Sequence, residues 1–244
     1  MPVQDDERER ELVRVFNLAW DPAHQRGGVD ALLDLTVDNR RCRLEVEVKS
    51  TTGSTVSTAR DVGMDHIQKW RTKFFVIGYY SSRTNRPELQ RCLCLTPLDM
   101  EPWIQSIEEK IGIDNKIAQR ASARLEMSDL FAVCGEKATY SVDDAKRLHK
   151  QQWSAEQYAS ARDTIIGGEH RISQPQMLRI LQLRARYIAE RGTTLNNPHV
   201  TKTHLNTFRG TDREIVENEW AEGIRRVASA FIRENPNHPA ILSL

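Results

Sequence analysis

The 244-residue sequence has no apolar run long enough to cross a bilayer. Its first residues, MPVQDDERERE, carry charge where a secretory leader carries an apolar core. The expectation is a soluble, cytoplasmic protein with no membrane partner. Cysteine is scarce: Cys42, Cys92, Cys94 and Cys134 include no C-x-x-C pair, and none lies near histidine at zinc-ligand spacing. Buried free thiols are the expected state. Charge of one sign is also lacking, since 35 basic and 34 acidic residues leave a net charge of +1, which alone says nothing about nucleic acid. There is no internal repeat and no low-complexity tract. The length allows one large domain or two small ones, with a sizeable core.

Against this ordinary background the stretch from Asp30 to Ser50 stands out. Ala31, Leu33, Leu35 and Val37 alternate with Asp30, Leu32, Asp34 and Thr36. On the return run, Cys42, Leu44, Val46 and Val48 alternate with Arg41, Arg43, Glu45, Glu47 and Lys49. Period-2 alternation marks a strand with one buried face. Asp38 and Asn39 both tolerate the positive φ of a two-residue hairpin turn. That turn sets Val37 opposite Arg40, Asp34 opposite Arg43 and Asp30 opposite Glu47. A three-residue loop puts the second apolar row on the wrong face, whereas a four-residue loop shifts the pairing and keeps the parity. Directly opposed Cβ atoms lie ~5 Å apart, so two carboxylates there repel unless a cation sits between them.

Phosphodiester hydrolysis needs such a set. A phosphate must be neutralised, a water activated and a leaving alkoxide stabilised. Mg²⁺ prefers oxygen ligands and usually takes one or two carboxylates with waters and substrate oxygens. Asp30 and Glu47 supply carboxylates, and the backbone carbonyl near Val48 supplies another oxygen. Lys49 is placed to orient the attacking water or to stabilise negative charge. Glu45 shares the face as an alternate or supporting ligand, while Asp34 is expected to pair with Arg43 instead.

The rest of the chain reads as mixed α/β. A helix is predicted over about Asp5–Ala19, with Leu12, Val15, Phe16 and Ala19 inward and Glu11 at the border of that stripe, in reach of a metal site. A loop with Pro22 and Gly27-Gly28 follows, able to let backbone approach a phosphate. After a polar loop over residues 50–55, a helix is expected near Ala59–Trp70, carrying His66, Gln68 and Lys69. Phe74–Tyr80 is a continuous apolar run typical of a central strand, and Arg91–Thr96 is a further strand stopped by Pro97. From about Leu98 the chain reads as helical. Ser141-x-x-Asp144, Ser154-x-x-Gln157 and Thr211-x-x-Glu214 look like capping boxes. Ser173 and Pro175 open a helix with Met177, Ile180, Leu181 and Tyr187 inward. A last helix is expected to bury Ile215, Trp220, Ile224, Val227 and Phe231. The expected division is a catalytic core over residues 1–135 and a helical, basic region over 136–244.

An aspartate, a hairpin, Glu-x-Lys, a helix and another strand resemble the PD-(D/E)XK nuclease superfamily. The size and the appended helical half look most like a type II restriction endonuclease. The resemblance covers roughly residues 5–96 and rests on Asp30…Glu47-Val48-Lys49, with Val29 standing where the family has proline. It implies a restriction-endonuclease-like mixed sheet flanked by helices. It also implies Mg²⁺, with Mn²⁺ as a substitute, held by Asp30, Glu47 and Val48, and a cut leaving 5′-phosphate and 3′-hydroxyl ends. Catalysis falls to Asp30, Glu47 and Lys49, with Glu11, Glu45, His66 and Gln68 as accessory candidates. A homodimer that cuts both strands of duplex DNA is the usual arrangement.

Between Arg171 and Gly210 seven basic residues face one acid, Glu190, in an otherwise neutral chain. Such an island is a candidate phosphate-binding surface. Base reading needs Arg or Asn at base edges. The DNA-contact candidates are therefore Arg179, Arg184, Arg186, Arg191, Asn196, Asn197, His199 and Lys202. The leading expectation is a sequence-specific endonuclease of restriction-modification type. A structure-directed repair or recombination nuclease of the same superfamily and a non-catalytic DNA-binding protein are the alternatives.

Overall fold

The turn that fixes the hairpin is formed by Asp38 and Asn39, with φ of 50° and 65°, the positive values a two-residue hairpin turn requires. The structure is a computed structural model, and it describes residues 4–20, 29–81, 87–216 and 219–244, with the side chains of residues 4–6 excepted. The loop bearing Pro22, Gly27 and Gly28 lies outside the described residues.

The chain runs α1 (Gln4–Val15), β1 (Ala19–Trp20), β2 (Ala31–Val37), β3 (Arg40–Thr51), β4 (Val56–Ser57), α2 (Met64–Trp70), β5 (Lys73–Tyr80), β6 (Leu89–Leu95) and α3 (Pro97–Ser122). It continues through α4 (Met127–Cys134), β7 (Thr139–Tyr140), α5 (Val142–His149), α6 (Ala155–Ser160), β8 (Thr164–Ile166), β9 (Glu169–Ser173) and α7 (Gln174–Gly192). It closes with β10 (His199–Val200), α8 (Lys202–Asn206), β11 (Glu214–Val216), α9 (Trp220–Glu234) and β12 (Leu242–Ser243). The fold is mixed α/β, and its main sheet has the order β1-β2-β3-β5-β6-β11, with β12 also paired to β3. Among the described residues no helix is long and apolar enough to cross a membrane.

The hairpin register is the predicted one: Val37 faces Arg40, Asp34 faces Arg43 and Ala31 faces Val46. Parity does the rest. Ala31, Leu33, Val37, Cys42, Leu44, Val46 and Val48 enter a core with Leu12 and Val13 of α1, with Phe16 just after that helix, and with Ile224, Val227 and Phe231 of α9. β5 is buried along its whole length and pairs in parallel with β3, as a central strand does. Parallel neighbours need a crossover, and α2 provides it. On the opposite face of the sheet, Trp70 of α2 meets Phe75 and Trp103 of α3 at ring-centroid distances of 6.4 and 5.2 Å.

Gly78 is needed where α1 rests on the sheet. A Cβ there would lie 2.7 Å from Leu12 Cδ2 and 2.9 Å from its Cδ1, so only glycine lets that helix sit this low.

Several expectations are corrected. The first helix ends at Val15, and Ala19 instead joins β1, which pairs with β2. The helix expected from Ala59 begins at Met64, with Gly63 as its N-cap. Ser141 and Ser154 form true capping boxes. Thr211-x-x-Glu214 does not open a helix. Glu214 instead opens β11 on the edge of the main sheet, where it takes Arg91 as a 2.9 Å ion-pair partner. Tyr187 is 38% exposed rather than inward.

The chain divides into two compact units, residues 1–110 with 195–244, and residues 111–194. The expected cut at 135/136 is not where the chain divides. The last fifty residues return to the main sheet, because β11 pairs with β6 and β12 with β3. The second unit has its own core around Leu130, Tyr140, Tyr158, Ile172, Met177 and Ile180. Cys42, Cys92 and Cys94 are buried free thiols, while Cys134 is free and half-buried. Burial pushes the Cys94 thiol up to about 12.

Candidate active site

The charged face of the hairpin turns toward the layer that holds α2, and its functional groups gather at the end remote from the turn. Asp30 is the bend residue just before β2. Its Oδ2 accepts the Val48 N–H at 3.0 Å, which clips the bend to β3 where the strand ladder has ended. The same oxygen accepts from Lys49 Nζ at 3.0 Å. Lys49 also donates to the Val48 carbonyl at 2.9 Å and stands 3.0 Å from Glu47 Oε1. The ammonium donates to Asp30 and the Val48 carbonyl and forms an ion pair with Glu47, the three oxygen groups that the sequence marked as metal ligands. The cation between the two carboxylates is thus the chain's own lysine.

Two further groups join. Lys73, at the start of β5, bonds Glu47 Oε2 at 3.0 Å in a fully buried contact. Glu9 of α1 reaches to 3.9 Å from Lys49 Nζ. Neither was identified from sequence. A signal for Glu9 existed, since it precedes Leu12 by three residues and so lies near the buried stripe of α1. For Lys73 the only signal was a charge opening an apolar strand.

The electrostatics follow from burial and charge together. Burial pushes the Glu47 carboxyl up, but the Lys49 and Lys73 ammonium groups outweigh it and hold it below its ordinary value. Burial opposes the charge on Lys49. Glu47, Asp30 and Glu9 overcome that and raise its pKa well above the ordinary lysine range. Glu47 and Lys49 thus favour each other's charged form.

The accessory candidates fall into different places. Glu11 is not at the cluster, because its Oε2 accepts from Tyr80 Oη at 3.0 Å; Glu9 takes the position foreseen for it. Glu45 is half-buried on the Glu47 face and faces Lys73 in register. His66 is half-buried beside Trp70, at 5.9 Å between ring centroids. Burial and then the Lys69 charge lower its pKa, and Glu47 partly opposes them, which marks it as a neighbour of the site. Gln68 is exposed on α2.

The DNA-contact candidates separate between the two units. Arg179, Arg184, Arg186 and Arg191 lie on α7 in the second unit, whereas Asn196, Asn197, His199 and Lys202 lie in the first. Arg184 is buried, bonds Gln152 Oε1 at 3.2 Å and lies over the Tyr187 ring, so it is a core residue rather than a phosphate contact. Arg186 is tied to Glu190 at 2.6 Å. Arg179 and Arg191 are exposed, as are Asn196 and Lys202. Asn197 adopts a positive φ of 48°, the local role an Asn-Pro turn gives it. His199 belongs to β10 and lies 3.3 Å from Ser57 Oγ through its Nδ1.

Among the described residues no group of three or more His, Cys, Asp or Glu side chains converges as metal ligands. The donor set at Lys49 nonetheless suits a hard divalent cation: two carboxylates and a main-chain carbonyl, all oxygen, arranged around one positive charge. No family model and no curated sequence matches the chain.

Proposed function

We propose that this chain is a Mg²⁺-dependent endonuclease of the PD-(D/E)XK kind, acting on duplex DNA at a fixed sequence as type II restriction enzymes do. One observation supports it above the rest. Asp30, Glu47 and the Val48 carbonyl converge on a single cation, the Lys49 ammonium, at 3.0, 3.0 and 2.9 Å. A solvated strand face that alternates charge by chance has no reason to bury these groups and aim them at one point.

In this reading Asp30, Glu47 and the Val48 carbonyl hold Mg²⁺, which when bound neutralises the scissile phosphate and makes a water acidic enough to attack. Asp30 takes its orientation from the Val48 N–H, so the first ligand is fixed by the strand that carries the second. Lys49 is the mobile member. Its ammonium exchanges the carboxylates for the attacking water or the charged phosphate oxygens. Products carry 5′-phosphate and 3′-hydroxyl ends. Cutting both strands with one kind of site calls for two copies, so a homodimer on DNA belongs to the proposal. The exposed Arg179 and Arg191 are candidates for phosphate contacts, and Asn196 and Lys202 for contacts from the other unit.

The test is incubation with phage DNA and Mg²⁺, followed by sequencing of the ends. The proposal expects discrete fragments that vanish with chelator and in Asp30→Ala, Glu47→Ala and Lys49→Ala proteins that remain folded. Cleavage of branched or single-stranded DNA without sequence preference would move the assignment to a repair nuclease. Full activity in all three variants would overturn it.

A further inference from the structure

Glu47 has two carboxylate oxygens, and the structure gives them different partners. Oε1 stands 3.0 Å from Lys49, on the side shared with Asp30 and the Val48 carbonyl. Oε2 accepts from Lys73 at 3.0 Å. The Lys73 side chain is only 5% exposed, and that of Glu47 only 9%. Lys73 does not come from the hairpin. It opens β5, which the α2 crossover lays parallel to β3, with Glu45 as its register partner and Glu47 as its neighbour on the same face.

We infer that Lys73 is a positioning residue: it holds Glu47 by Oε2 and so presents Oε1 toward Asp30 and the Val48 carbonyl. This rests on the reading of the site as a nuclease centre. The two lysines then divide the work. Lys49 touches every oxygen group of the proposed centre and has to leave them when a metal binds. Lys73 touches the Glu47 oxygen turned away from the centre, so its bond persists throughout. A buried carboxylate held by a buried donor has one orientation, and ligands fixed in this way bind metal more tightly.

An ammonium in this place that served only to balance charge would behave oppositely. Its removal would take away a repelling positive charge and tighten cation binding. Loss of a positioning residue weakens it. The sign therefore separates the two roles.

The experiment is Mn²⁺ binding to the full chain without DNA, read by electron paramagnetic resonance of the free ion, with folding checked by circular dichroism. Wild type is expected to bind, and Glu47→Gln is expected to lose that binding. Lys73→Met is expected to weaken it by about 10- to 100-fold. Lys73→Gln keeps an N–H donor without the charge and is expected to recover part of the loss. Unchanged or tighter Mn²⁺ binding in folded Lys73→Met would overturn the inference and leave the nuclease reading standing. If Lys73→Met does not fold, Lys73→Ala, which also lacks the donor and the charge, carries the test: binding weaker than wild type supports positioning, and equal or tighter binding overturns it. No Mn²⁺ binding by wild type, or binding unaffected by Glu47→Gln, would overturn both readings.

Discussion

The two ends of the β2–β3 hairpin carry the same kinds of residue and use them differently. Near the turn, Asp34 and Arg43 form a two-pronged pair at 2.7 and 2.8 Å, with side chains 42% and 35% exposed. The charges match one to one, and water screens them. Nothing there is left over for chemistry. At the far end, Asp30, Glu47, Lys49, Lys73 and Glu9 share contacts, and Lys49 has more than one acid partner. Glu47 and Lys73 are buried and the other three half-buried, so the contacts are shielded from water and coupled to one another. A strand pattern of acid and base is thus no site in itself. It becomes one where neighbouring elements, here α1 and β5, bury it and make the pairing unequal.

Substitutions at the two ends should separate accordingly. The largest effect expected is on DNA cleavage, where Lys49→Ala or Glu47→Ala lowers the rate by about a thousandfold or more. The Asp34→Ala protein keeps its rate, and single-turnover cleavage assays read the contrast. Next comes stability. Lys73→Met leaves the buried Glu47 Oε2 without its donor while Lys49 still faces Oε1, at a cost of about 2–3 kcal/mol measured by urea unfolding. Gly78→Ala presses a Cβ against Leu12 and is expected to cost about 1–3 kcal/mol in the same assay, while loosening α1 and the Glu9 it carries. Acid sensitivity follows from Glu47, whose native pKa is lowered. Its contribution to stability is fully present above the ordinary value of 4.5 and is lost as the pH falls through the lower native value. Glu47→Gln should flatten that part of the stability–pH curve. The smallest effect is expected at the turn end, where Asp34→Ala barely moves the unfolding midpoint.

What could be read from the sequence was local. The parity of the apolar rows and the Asp38-Asn39 turn fixed the register, and with it the Asp34–Arg43 pair and the nearness of Asp30 to Glu47. The apolar run of β5 and the caps at Ser141, Ser154 and Ser173 were equally local signals. Lys73 and Glu9 carried only faint signals, because each reaches the site through packing between elements distant in sequence. Thr211 and Glu214 have capping-box spacing, yet Glu214 bonds the Gly210 N–H and Arg91 from a strand. Pairing with β6 outweighed the local helix signal there. The basic island over residues 171–210 is a property of composition. In three dimensions it is shared between two units, and Arg184 is buried within one of them.

The most direct test sets the two aspartates of β2 and its leading bend side by side. Asp30→Ala and Asp34→Ala each remove one carboxylate from the same hairpin, and both proteins are assayed for Mg²⁺-dependent cleavage of duplex DNA against wild type. Loss of cleavage in Asp30→Ala with wild-type rates in Asp34→Ala is the predicted result. Equal rates in the two variants would contradict the assignment of the buried end as the catalytic centre.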